Sequence, residues 1–132
     1  MGRTITIGRL SAETGVNIET IRYYERIGLI DAPPRSSGGR RLYGAPHIAR
    51  LRFIRRGREL GFSLESIRSL LRLEREAEPC AEARVLTEAH LEEVRGKIAD
   101  LRRLEDMLSR LAKACAESES APCPVIETLA RP

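Results

Sequence analysis

A long stretch with one narrow apolar stripe, from Cys80 to Cys115, most constrains how this chain folds. It contains no Pro and a single Gly, Gly96. Charged residues fill most positions between the apolar ones, as on a solvated helix face. The apolar side chains recur three or four residues apart, which predicts one long helix that needs a partner helix: Leu91, Val94, Ile98, Leu101, Leu104, Leu108 and Leu111.

A chain of 132 residues is too small to bury such a helix, so the stripe predicts a homodimer. From Cys80 to Cys115 the helix would extend about 50 Å, at about 1.5 Å per residue, so the two cannot meet within one chain. An antiparallel pair of helices instead places Cys80 beside Cys115 and Cys123 of the partner subunit, once at each end. A turn is expected between Cys115 and Cys123, and Pro124 is expected to begin a short last helix.

The three cysteines, Cys80, Cys115 and Cys123, are the candidate metal ligands. Their odd number argues against a disulfide framework, and thiolates select soft metals. Because no His lies between Cys115 and Cys123, three sulfurs fit Hg(II) or Pb(II), or Cd(II) with one more ligand, better than four-coordinate Zn(II). The alternatives are cysteines that pack as small apolar residues and thiols that react with oxidants or electrophiles.

Positive charge is concentrated in the first half of the chain. Residues 1–79 contain 15 Arg and 9 acidic residues, whereas residues 80–132 contain 8 basic and 10 acidic residues. Residues 32–58 contain eight Arg and no acid, which indicates a polyanionic partner. No run approaches the roughly 18 apolar residues of a membrane span and no signal peptide is recognisable, so we expect a cytoplasmic protein without membrane contact.

Two short helices, joined through Gly15, Val16 and Asn17, are predicted near the start of the chain. Thr6 and Asn17 are suited to cap them, and Gly15 and Gly28 to end them. This spacing is typical of a helix-turn-helix, in which the second helix reads DNA. One of its two tyrosines is expected to face the core. The candidate DNA contacts are Val16, Asn17, Thr20, Arg22, Tyr23 and Tyr24.

The next segment predicts a wing, a small hairpin whose tip lies along the DNA backbone. Its loop would contain two Pro and two Gly, and its returning strand would be Arg40 to Tyr43. Strand alternation predicts that Leu42 points inward while Arg41 and Tyr43 point outward. A third helix beginning near Pro46 and a fourth capped by Ser63 should follow. Candidate contacts in this part are Arg40, Arg41 and Tyr43 in the wing and Arg55 in the third helix.

Several motifs follow one another along the chain: Thr6-Ile7-Gly8, Gly15-Val16, Thr20-Ile21-Arg22-Tyr23-Tyr24-Glu25, Gly28-Leu29, Arg40-Arg41-Leu42-Tyr43 and Leu60-Gly61-Phe62-Ser63-Leu64. In this combination, which covers nearly the whole chain, they resemble the MerR family of bacterial transcription regulators. The three cysteines and the Pro124-Val125-Ile126 that follows them resemble its metal-sensing members, above all the mercury-sensing branch.

The resemblance implies a mainly α fold, with a winged helix-turn-helix DNA-binding domain over residues 1–76. A dimerisation coiled coil over residues 77–114 and a metal-binding loop with a short helix over residues 115–132 would complete it. Such homodimers bind promoter DNA whose two polymerase-contacting elements are too far apart. They hold the promoter inactive without metal, and activate it with metal by distorting the DNA so that RNA polymerase engages both elements.

The resemblance favours Hg(II) as the effector, with Cd(II), Pb(II) and Zn(II) as alternatives. A cysteine at the position of Cys80 is typical of the divalent-metal sensors. The seven residues between Cys115 and Cys123 are one fewer than in the mercury and zinc sensors and equal the number in the copper sensors, which leaves the metal open.

Two other functions are alternatives for these residues. A regulator on the same fold that senses a redox or electrophilic signal would use the same thiols. A thiol enzyme or metal-trafficking protein has less support, because no candidate base lies near the cysteines in the sequence and such proteins seldom need an arginine-rich wing. We therefore expect a regulator and not an enzyme.

Overall fold

The computed structural model describes residues 3–118 and 122–132, and this part of the chain is mainly α-helical, as predicted. Its helices are α1 (Ile7–Thr14), α2 (Ile18–Arg26), α3 (Ala45–Glu59), α4 (Leu64–Leu73), α5 (Cys80–Glu117) and α6 (Pro124–Ala130). The chain divides into two compact units, Met1–Ala83 and Arg84–Pro132. Within the described ranges, no helix combines the length and apolarity that crossing a bilayer requires.

Local sequence signals place the ends of α1 and α2 where they were predicted. Thr6 Oγ1 accepts a hydrogen bond from the Arg9 N–H, and Asn17 Oδ1 accepts one from the Glu19 N–H at 2.8 Å. Both caps satisfy amide groups that have no partner inside the helix. Gly15 ends α1 with a φ of 71°, a left-handed conformation that suits glycine. The helix-turn-helix is therefore fixed by residues at its own boundaries.

One apolar cluster joins α1 to α4 and forms the core of the first unit. Its fully buried side chains include Leu10 of α1, Ile21 of α2, Leu51 and Ile54 of α3 and Ile67 of α4. Each such side chain contributes about 1.5–3 kcal/mol when it is removed from water. This burial holds α2 against the other helices and leaves its opposite face exposed.

The segment between α2 and α3 forms the predicted hairpin, but its side chains face the other way. An antiparallel bridge joins Arg35 to Arg41, and a second joins Ile5 to Tyr43 through two backbone hydrogen bonds of 2.8 Å. Tyr43 is fully buried and Leu42 only partly, so the predicted outward Tyr43 and inward Leu42 were wrong. Pairing with Ile5 turns the aromatic ring inward, where it removes more apolar surface from water than Leu42 would.

Helix α5 is the predicted long helix, and its 38 residues include none that are buried. It begins at Cys80 and continues past Cys115 to Glu117. The stripe residues Leu91, Val94, Ile98, Leu101, Leu104 and Leu108 are 37% to 65% exposed. The single chain thus leaves the apolar stripe uncovered, as the sequence pattern requires. Helix α6 begins at Pro124 as predicted, whereas Glu119, Ser120 and Ala121 of the expected turn lie outside the described residues.

We predict that Gly15→Ala lowers the free energy of unfolding by about 1–2 kcal/mol, the cost of a left-handed conformation with a Cβ. The new Cβ would also lie 1.9 Å from Arg55 Nη1, so the guanidinium must move away. The measurement is urea denaturation followed by circular dichroism at one protein concentration.

Gly8→Ala is the matched control in the same helix, because its Cβ would meet no atom within 4 Å and its φ is not positive. It should raise the free energy of unfolding by up to about 1 kcal/mol. Equal effects of the two substitutions would contradict the role given to the Gly15 turn.

Candidate functional site

Helix α2 presents a cationic and aromatic face. Arg22 and Arg26 are exposed and Tyr23 is 42% exposed, whereas Tyr24 is buried in the core. This confirms that one tyrosine of the pair faces inward. The Arg26 guanidinium carbon lies 5.7 Å from the centroid of the Tyr23 ring, within the range of a cation–π contact. Burial raises the pKa of Tyr24, which therefore stays a neutral phenol at physiological pH.

Several residues that were predicted to contact DNA have side chains that stabilise the fold instead. Val16, Tyr24 and Tyr43 belong to the apolar core, and the Asn17 side chain caps α2. The predicted contacts whose side chains are at least partly exposed are Asn17, Thr20, Arg22, Tyr23, Arg40, Arg41 and Arg55. The sequence did not distinguish the buried from the exposed face of each of these segments.

Arg55 is tied to the helix-turn-helix from α3. Its Nη1 donates a hydrogen bond of 2.8 Å to the carbonyl oxygen of Thr14, the last residue of α1. Its Nε also lies 3.2 Å from a Glu59 carboxylate oxygen. The guanidinium therefore braces the turn between α1 and α2 while half of its side chain stays exposed.

A cleft of about 710 Å³ opens between α2 and the wing. Four arginines line it, and Glu25 contributes a single carboxylate. The arginines are Arg22, Arg26, Arg40 and Arg41, and the remaining lining residues are Thr6, Ile7, Ala32 and Tyr43. Arginine side chains are the usual ligands of phosphate oxygens because they donate several hydrogen bonds in a planar fork. The excess of positive charge makes this cleft a candidate DNA-binding surface.

Glu25 is a residue of this cleft that the sequence did not predict as part of the site. Its side chain is only 6% exposed, and its carboxylate accepts hydrogen bonds from Arg41 Nη1 and, at 2.5 Å, from the Tyr43 hydroxyl. Burial, followed by the Glu25 hydrogen bond and charge, raises the pKa of Tyr43 to about 12, although Arg41 opposes the rise. The only sequence signal for Glu25 is its place directly after the Tyr23-Tyr24 pair, and this place does not indicate a contact with the wing.

The structure brings together two of the three predicted metal ligands. Cys115, in the last turn of α5, and Cys123, the N-cap of α6, have their Sγ atoms 3.8 Å apart. For comparison, two zinc–sulfur bonds of about 2.3 Å that meet at a tetrahedral angle separate their sulfurs by about 3.8 Å. The pair therefore fits a shared thiophilic metal ion. Cys80 begins α5, and the described residues of one chain contain no cluster of three metal-binding side chains.

The two thiols of this pair differ in their electrostatic surroundings. Hydrogen bonds from the backbone N–H groups of Ile126 and Val125, and one from Cys115, lower the pKa of the Cys123 thiol. The hydrogen bond to Cys123 and the charge of its thiolate raise the pKa of Cys115. Cys123 is thus the first of the two to become a thiolate as the pH rises, and the thiolate is the form that binds metals.

We predict that alkylation by iodoacetamide reaches half of its plateau rate at a lower pH for Cys123 than for Cys115. The sign follows because the thiolate is the reactive form and the pKa of Cys123 is the lowered one. Peptide mass spectrometry after timed alkylation of the metal-free protein measures both rates in one sample. The same midpoint for both cysteines would contradict the asymmetry.

Comparisons with known proteins agree with this geometry. A family model described as MerR HTH family regulatory protein matches residues 5–74, and one described as MerR, DNA binding matches residues 48–111. A mercuric resistance operon regulatory protein from Pseudomonas fluorescens is 45% identical over 126 residues, which are 95% of this chain and 87% of that protein.

Two solved structures of metal complexes are similar over nearly the whole chain. The transcription regulator PbrR691 from Ralstonia metallidurans, in complex with lead(II), has a TM-score of 0.80 and 39% identity over 96% of this chain and 99% of that one. The regulator MerR from Bacillus megaterium, in complex with mercury(II), has a TM-score of 0.75 and 39% identity over 96% of this chain and 100% of that one. The motifs, the fold and these similarities together show that the chain belongs to the MerR family of DNA-binding transcription regulators.

Proposed function

We propose that this regulator is a homodimer that activates a promoter when a thiophilic divalent metal ion, with Hg(II) favoured, binds its cysteines. The observation that carries the proposal is the 3.8 Å separation of Cys115 Sγ and Cys123 Sγ in a chain of this family. Cd(II), Pb(II) and Zn(II) are the alternative effectors. Residues 1–76 would bind DNA, residues 77–114 would form the dimer, and residues 115–132 would hold the metal.

The dimer is supported by the uncovered stripe of α5. Six of its apolar side chains are at least 37% exposed in the single chain, and a second α5 is the partner that a heptad-like stripe fits. Burying a Leu or Ile fully contributes about 1.5–3 kcal/mol. Several such residues on each chain outweigh the cost of association, which is of order 4–15 kcal/mol.

The metal site would then be completed across the dimer. Cys115 and Cys123 would supply two sulfurs from one chain, and Cys80 of the partner subunit would supply the third. An antiparallel pair of α5 helices places these residues at the same end. Soft metals bind thiolates strongly, and metal binding at such a site would release the thiol protons.

DNA would be contacted by the exposed side chains of α2 and the wing. Thr20, Arg22 and Tyr23 would face base edges and phosphates from α2. In the wing, Arg40 would contact the backbone, and Arg41, which is paired with Glu25, would lie beside it. Val16, Asn17, Tyr24, Tyr43 and Arg55 would hold these groups in place from the core and the caps.

Metal binding would act on the promoter through the shape of the DNA. Smoothly bending a short duplex costs of order 1–6 kcal/mol, and a metal that binds one form of the dimer more tightly can supply that difference. RNA polymerase would then engage both promoter elements. A thiol-based sensor of oxidants or electrophiles on the same fold is the second candidate, favoured by the proximity of the same two sulfurs.

We predict that Leu101→Glu together with Leu104→Glu converts the dimer to monomers, because both side chains lie in the stripe. The control variant, Ala99→Glu together with Arg103→Glu, changes the charged face and should leave the dimer intact. Sedimentation at micromolar concentration reports the mass of each variant. A monomeric wild-type protein, or dimers in both variants, would exclude α5 as the interface.

Mixed dimers test the shared metal site. One chain carries Cys80→Ala and the other carries Cys115→Ala with Cys123→Ala, and the two chains bear different tags for purification. We expect the mixed dimer to bind one Hg(II) through three sulfurs, because one end keeps all three thiols and the other end has none. Both mutant homodimers should lose the three-sulfur signal, since their sites keep only two thiols or one.

X-ray absorption of the Hg(II)-loaded proteins gives the number of bound sulfurs, and the ultraviolet charge-transfer band gives the stoichiometry. A mixed dimer without a three-sulfur site would show that the ligands do not come from both chains as proposed. Metal-free protein in which Cys115 and Cys123 form a reversible disulfide that activates transcription would favour the redox sensor instead.

A further inference from the structure

The carboxylate of Glu25 links the last turn of the recognition helix α2 to the returning strand of the wing. Among the described residues of the first unit, it is the one ion pair between these two segments. One oxygen accepts from Arg41, which is bridged to Arg35 across the hairpin. The other accepts from Tyr43, whose backbone is bonded to Ile5. Both ends of this contact are therefore anchored in hydrogen-bonded structure, so the contact fixes the wing strand relative to α2.

The contact also changes the charge that the cleft offers to DNA. Of the four arginines in the cleft, Arg41 is ion-paired to a carboxylate that is only 6% exposed. A buried carboxylate keeps its partner, because an unpaired charge away from water is costly. The positive charge of Arg41 is thus largely cancelled by Glu25, whereas the exposed Arg40 forms no ion pair with a carboxylate among the described residues.

We propose that Glu25 is a positioning residue for DNA recognition, which fixes the wing against α2 and withholds the charge of Arg41 from phosphate, so that binding depends more on sequence and less on charge. The inference rests on the proposed DNA contacts of α2 and the wing. It goes beyond them because Glu25 acts without touching DNA.

The physical basis is the difference between phosphate and base contacts. Each phosphate that a cation neutralises adds affinity for every sequence and steepens the salt dependence by about one unit. Base contacts discriminate only when α2 is held in one register on the duplex. A carboxylate that both anchors the wing and neutralises Arg41 therefore raises discrimination at the expense of total affinity.

The test uses Glu25→Gln, which keeps the size of the side chain and an acceptor for Tyr43 but removes the charge that pairs with Arg41. The DNA probes are a duplex that the full-length wild-type protein selects from a randomised pool and a scrambled duplex of the same length and composition. Binding constants are measured for both over a series of salt concentrations. Glu65→Gln, an exposed position of α4 in the same unit, is the control for the loss of one negative charge.

For Glu25→Gln we expect the preference for the selected duplex over the scrambled one to fall at least tenfold. Affinity for the scrambled duplex should rise severalfold, with a salt slope steeper by about one unit, because Arg41 becomes free to bind phosphate. Glu65→Gln should keep the wild-type preference within twofold. A Glu25→Gln protein with wild-type preference and slope would overturn the proposal.

A double-mutant cycle tests directly whether Glu25 withholds the charge of Arg41 from DNA. Arg41→Gln should leave the salt slope of the wild-type protein nearly unchanged, but it should lower the slope by about one unit when Glu25→Gln is already present. Arg40→Ala should lower the slope by about one unit in both backgrounds. An equal effect of Arg41→Gln in both backgrounds would show that Glu25 does not withhold this charge, and circular dichroism shows which variants are folded.

These measurements distinguish a failure of the proposed DNA-binding function from a failure of the role of Glu25. If the wild-type protein selects no duplex from the pool, the proposed DNA-binding function fails. If the wild-type protein discriminates and Glu25→Gln discriminates equally well, only the role of Glu25 fails.

Discussion

The uncovered apolar stripe of α5 is the constraint on which the rest of this protein depends. Its side chains recur at helical spacing and stay exposed in the single chain, so water is an unfavourable environment for them. A second copy of the same helix would relieve this cost and, by two-fold symmetry, would make two equivalent ends. Dimerisation would thereby connect a DNA-binding unit to a metal site that one chain completes only in part.

The chemistry of the Cys115–Cys123 pair follows from local structure. The helix α5 ends just after Cys115, and α6 begins just after Cys123, so each sulfur is held by a helix end. Backbone N–H groups at the start of α6 stabilise the Cys123 thiolate. Such a pair needs little rearrangement to bind a soft metal, because the sulfur separation already matches that of two ligands on one ion.

The first unit shows how a cationic surface keeps its shape. Arginines attract phosphate wherever they lie, so a useful DNA-binding surface has to fix their positions. Arg55 is bonded to the turn of the helix-turn-helix, and Arg41 is bonded to the buried Glu25. None of the described buried side-chain nitrogen or oxygen atoms lacks a hydrogen-bond partner, as expected where an unpaired polar group would be costly.

The sequence by itself determined the helix caps at Thr6, Asn17 and Ser63, the glycine stop at Gly15 and the long α5, because these depend on contacts within a few residues or on one period. Only the tertiary structure decided which side of the wing faces inward. Tyr43 turns into the core through pairing with Ile5, and Glu25 meets Arg41 sixteen residues away. Such choices depend on distant neighbours, and no local pattern records them.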